Sequence, residues 1–378
     1  MRKLLKALWT LARIGIGALL FCMIFPLALM ANECRYIGGG QSRFPPQNAV
    51  AQTEAMHAAK QDLPKYARLE DQTYLTLPEW HIVYSAEEYA AFIEHDAPSR
   101  FPYLGSIWQY WDSTYRICGI TRDKYPLNSG YHVMLAVIGP SYTAEYLVKG
   151  AYENTIGRLA EIIGAGVRTP EEDYAAAVGK DYGRFIHTIP WYDYPFGEKL
   201  RGLWTSTPLF GPNPVRKFER KIALSMEYGF KAVYGAALSA ASTALYGELE
   251  SQVYAIASGI TEDLLAREPE LKLIKRIDTT QAMVALPHYE AFTQLVPRLT
   301  RQGLRFVEIG DSDEIMLTVL APSTWVYNAP NSELLFSLAL PTDQNTRRLV
   351  INVPVEHLHS VLAKLEAEGV RLEHLYDY

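Results

Sequence analysis

The run from Ile14 to Ala31 constrains this chain more than any other stretch, because 18 consecutive residues carry neither a charged nor a polar side chain. Such a run is long enough to cross a hydrocarbon core as a helix, whose backbone groups bond within the segment itself. A secretory leader would have a shorter apolar core and a small-x-small cleavage site, and Leu29-Met30-Ala31 matches that poorly. Residues 1–31 are therefore predicted to be a retained transmembrane helix, kinked at Pro26. Arg2, Lys3, Lys6 and Arg13 precede the run and place the N-terminus in the cytoplasm.

Two further apolar stretches share a short pattern. Glu145-Tyr-x-x-Lys149 and Glu227-Tyr-x-x-Lys231 each set Glu and Lys at i,i+4, one above the other on a helix face. Residues 130–152 and 222–247 are read as a second and a third span on this basis. The paired charges are either a polar route through the membrane or ladders that snorkel to water. The dense run Arg216-Lys217-Phe218-Glu219-Arg220-Lys221 abuts the third stretch and assigns residues 153–221 to a cytoplasmic loop. The aromatic-rich residues 32–129 then lie outside, which in a bacterium is the periplasm. Within them Leu77–Tyr84 reads as a strand, and Ser85-Ala86-Glu87-Glu88 as a helix-opening capping box. The expected placement is a multi-pass protein of the inner membrane with an extracytoplasmic C-terminal domain.

Residues 248–269 read as a linker helix. From 270 to 378 the pattern changes to alternating strands at Gln281–Leu286, Leu304–Ile309, Ile315–Leu320, Leu334–Leu340, Leu349–Val353 and Val370–Tyr376. Amphipathic helices fall between them after Tyr289 and Val355. The expected fold class is thus a membrane-anchored α+β protein, with three transmembrane helices and a C-terminal ferredoxin-like α/β plait.

A net charge of -6 argues against a nucleic-acid partner. Of the three cysteines Cys22 lies in the first apolar run, which leaves Cys34 and Cys118 as the candidate disulfide. Nucleotide loops, zinc-protease helices and nucleophile elbows are missing from the sequence, and no metal or cofactor is assigned. His357 and His359 lie two apart at a helix start, off a common face, so His374 on a neighbouring strand does not complete a ligand set. Whether the chain is an enzyme stays open. The expected role is a non-enzymatic component of a membrane complex, touching the bilayer and either a protein partner or further copies of itself. A transport subunit using Glu145, Lys149, Glu227 and Lys231, or a small-ligand enzyme or sensor on an anchor, are the alternatives.

Overall fold

The computed structural model describes residues 2–35, 54–61, 63, 66–67, 71–246 and 252–377. The Gly38-Gly39-Gly40 and Pro45-Pro46 linker expected from the sequence lies outside them. The chain runs through α1 (Arg2–Glu33), α2 (Glu54–Gln61), α3 (Gln72–Leu75), α4 (Leu77–His95), α5 (Tyr103–Thr121) and α6 (Ser129–Tyr152). A π-helical turn at Glu153–Gly157 leads into α7 (Arg158–Ile163), α8 (Pro170–Phe185), α9 (Phe196–Ser206) and the long α10 (Pro214–Tyr246). Strands and short helices follow: β1 (Gln252–Ser258), α11 (Glu262–Arg267), β2 (Lys272–Arg276), β3 (Gln281–Pro287), α12 (Glu290–Arg301) and β4 (Arg305–Ile309). Last come β5 (Glu314–Pro322), β6 (Glu333–Leu340), β7 (Asp343–Pro354), α13 (Leu358–Ala367) and β8 (Arg371–Tyr376).

The chain divides into two compact units. One is helical, built from α1, α4, most of α5, and α6 to α10. Among the described residues only Arg13–Glu33, with mean hydropathy 2.4, is long and apolar enough to cross a membrane. This overturns the expectation of three spans. In α6 one side packs on protein: Leu135, Tyr142 and Tyr146 are buried, and a Cβ at Gly139 would lie 2.6 Å from the Trp111 ring of α5. In α10 Glu227 and Lys231 interrupt the apolar run, and the basic residues at 216–221 that precede it are buried in protein instead of flanking a leaflet. The strand expected at Leu77–Tyr84 is also corrected, because α4 begins at Leu77, eight residues before the capping box, and buries Leu77, Trp80, His81 and Tyr84 on one side. Pro78 sits in the first turn, where its missing N–H costs nothing.

The other unit holds α2, α3 and everything from β1 onward. The single plait over 270–378 is replaced by two four-stranded antiparallel sheets, ordered β2-β3-β1-β4 and β6-β7-β5-β8. The segment read as a linker helix contains β1, and β2 follows it. These two strands draw β3 and β4 into a sheet of their own. Both sheets repeat one order, and Phe292 and Leu299 of α12 join Val361 and Leu365 of α13 in one core with residues from both. The halves are joined at Ile309 and Ser312 by a tight turn with Gly310 at φ 57° and Asp311 at φ 65°, positive at both central positions as a type I′ turn requires. In the same unit Met56 and Ala59 of α2, with Tyr66, pack on Ile256 and Met283 of the first sheet. Lys60 Nζ lies 2.7 Å from Glu308 Oε1 and fixes that contact.

Candidate functional site

Seven charged residues of α10 organise the helical unit. On a helix Arg216 and Arg220, like Lys217 and Lys221, stand four apart and stack on neighbouring inward faces. All four are buried, with between 1% and 2% of their surface exposed, while Phe218 points out. They are not a flank for a lipid leaflet. Their partners come from far back in the sequence. Arg220 makes a two-pronged pair with Glu153 of the π-helical turn, Nη1 to Oε1 at 2.8 Å and Nη2 to Oε2 at 2.9 Å. Arg216 donates to Glu172 at 2.6 Å, to Glu219 at 3.0 Å and to the Gly157 carbonyl at 2.9 Å. Lys217 Nζ reaches both oxygens of Glu171, at 2.9 and 3.1 Å, and Lys221 stands 3.5 Å from the same carboxylate.

Local sequence explains why those acids are in place. Thr169 and Glu172 form a capping box at the start of α8, so Glu171 and Glu172 sit in its first turn, where negative charge is favoured. Gly157 must lack a Cβ, because one there would lie 2.4 Å from Glu153 Oε2. Glu153, Glu171, Glu172 and Glu219 thus balance the four cations charge for charge. In a low-dielectric interior such a set is tolerated only when complete.

Further along α10 a second set joins it to α6. Lys149 Nζ donates to Glu227 Oε1 at 2.9 Å, Lys231 Nζ lies 2.8 Å from Glu145 Oε1, and Lys231 also lies 3.4 Å from Glu227. The two sequence copies therefore meet across helices, and aromatic rings close round them. Lys149 sits 4.0 Å over the Tyr89 ring, and Lys231 about 5.5 Å from Tyr182 and 5.4 Å from Phe196. Burial alone would raise the Glu227 carboxyl, but Lys149 and Lys231 hold it down at about 2. Each of these acids has a cation in contact. The arrangement locks helices together.

Cys34 and Cys118 are joined as a disulfide, with Cα atoms 4.4 Å apart, which ties the end of α1 to α5. His132, in the first turn of α6, brings a ring nitrogen within 4.8 Å of both sulfurs. Sequence reading missed this residue because no fixed spacing links it to either cysteine. His81 is buried, and its Nε2 lies 3.2 Å from the Ser106 carbonyl oxygen.

In the sheet unit His288 Nδ1 lies 2.7 Å from Asp377 Oδ2, and that oxygen also accepts from Tyr289 N at 3.0 Å. Tyr289 holds φ at 65°, an unfavourable position for a side-chain-bearing residue, and the fully buried Asp377 pins it at the start of α12. This carboxylate–imidazole pair caps a helix. Comparison with known protein families, with curated proteins and with solved structures finds no match to this chain.

Proposed function

We propose that the protein is a membrane-anchored, non-enzymatic component of an assembly, held in the bilayer by α1 and engaging a protein partner through its helical unit. The observation that carries this reading is an uncovered apolar stripe on α10. Val215, Phe218, Ile222, Met226, Phe230 and Val233 recur every three or four residues, and each is between 46% and 74% exposed. At 1.5 Å per residue the stripe runs about 27 Å along the helix. A contiguous apolar surface of that kind marks an interaction face rather than ordinary surface. The balanced, closed ion sets on the inward side of the same helix support a structural role over a catalytic one.

One anchor with a basic N-terminal flank leaves the rest of the chain on the far side of the membrane from the N-terminus. The basic residues 216–221 no longer argue for a cytoplasmic loop, because they are neutralised internally. A photo-crosslinking amino acid at position 230, activated in intact membranes, tests the reading. Adducts with a defined protein are expected at position 230 and absent at a control site such as Lys364 on α13. Adducts with lipid alone, or none, would overturn it.

A further inference from the structure

The end of the anchor carries a second, unrelated chemistry. Cys34 follows directly on α1, Cys118 lies near the end of α5, and His132 opens α6, so three different helices contribute. Both sulfurs are buried, His132 is half-buried, and their ligating atoms lie within 4.8 Å of one another. We propose that Cys34, Cys118 and His132 form a redox-gated site for a divalent ion of the zinc type, closed as a disulfide when oxidised and open to the ion when reduced.

The donor set selects the ion. Two thiolates and an imidazole suit borderline-soft zinc and not magnesium or calcium, which take oxygen ligands. Size agrees as well. With Zn–S near 2.3 Å and Zn–N near 2.0–2.1 Å, tetrahedral angles set sulfur–sulfur and sulfur–nitrogen distances at about 3.6–3.8 Å. Those values fit inside the observed cluster once the S–S bond is gone. Charge points the same way. Two thiolates left bare in a buried place would be strongly disfavoured, whereas a divalent ion with two thiolates and a neutral imidazole is electrically neutral. Three protein ligands leave a fourth position for water or another donor.

Opening the site is a thiol–disulfide exchange. A thiolate of a dithiol reductant attacks one sulfur, the Cys34–Cys118 bond breaks, and a mixed disulfide forms. The reductant's second thiol resolves it and leaves as a cyclic disulfide, so its two electrons and two protons end on Cys34 and Cys118. Ion binding then releases both thiol protons to solvent. Disulfide and bound ion exclude each other.

The test uses the full chain in detergent, reduced with dithiothreitol, freed of reductant without air and titrated with Co²⁺ as a coloured stand-in for zinc. Thiolate-to-cobalt charge-transfer absorption is expected, saturating at one ion per chain, bleached by zinc, and absent in the oxidised protein. A Cys22→Ser variant should titrate like the parent. His132→Ala should keep the charge-transfer absorption but bind at least about tenfold more weakly. It leaves the cysteines intact, so a folded, oxidisable variant remains in hand even if Cys118→Ser does not fold. Reduced protein without charge-transfer absorption, or a His132→Ala variant titrating like the parent, would overturn the proposal.

Discussion

Glu79, near the start of α4, is half-buried, and burial pushes its carboxyl up to about 7. A pKa raised from 4.5 means that the folded chain holds this proton more tightly than the unfolded one. The stabilisation is complete below pH 4.5 and is lost as pH rises through 7. Glu79→Gln should therefore flatten the fall in thermal midpoint between pH 4.5 and pH 7 while leaving Glu227, held at about 2, to govern acid unfolding. Parallel pH profiles for variant and parent would show that Glu79 is not the group responsible. Nothing in the sequence around Glu79 announces this behaviour, since its cause is desolvation by residues distant in the chain. The opposite case is Cys34 with Cys118, where elimination among three cysteines names the pair without any geometry.

At the scale of elements, α10 is where local reading of charge misleads. Arg216, Lys217, Arg220 and Lys221 look like a membrane flank because the acids that neutralise them lie on the π-helical turn, on α8 and between the cations themselves. Sign is visible in a window of ten residues; pairing is not. Lys217→Met should cost about 3–5 kcal/mol by leaving Glu171 buried with only a 3.5 Å contact to Lys221. Adding Glu171→Leu should make the combined loss in urea midpoint smaller than the sum of the two single losses, and strict additivity would mean that the pair is not coupled. The Glu-Tyr-x-x-Lys copies were more legible, because i,i+4 spacing on an apolar helix singles out charges that need partners. Glu145→Lys and Lys231→Glu should each lower the amount of folded protein in membranes, and the double exchange should recover part of it. Recovery is only partial because Lys231 also serves Glu227. No recovery at all would place the copies out of contact.

At the scale of the molecule, two features were readable in advance: a helix near the N-terminus long and apolar enough to cross a membrane, and the strand–helix alternation of residues 281–376. The number of sheets was not. Val253, Ala255 and Ala257 are small for core-forming strand residues, and β2, Lys-Leu-Ile-Lys-Arg, is mostly exposed, so neither strand stands out by hydrophobic alternation. Without them the remaining strands add up to one sheet. With them there are two, sharing a core that neither could complete alone. Two copies of one strand order, closed over a common interior and joined by Gly310 and Asp311, also determine how the molecule withstands a broken backbone. A protease site inserted between Asp311 and Ser312 should, once cut, leave residues 312–378 co-eluting with the remainder, and early loss of that fragment would deny the shared interior. The hairpin is thus dispensable as a tether once folding is done, and a severed sheet unit persists as two chains held in one body.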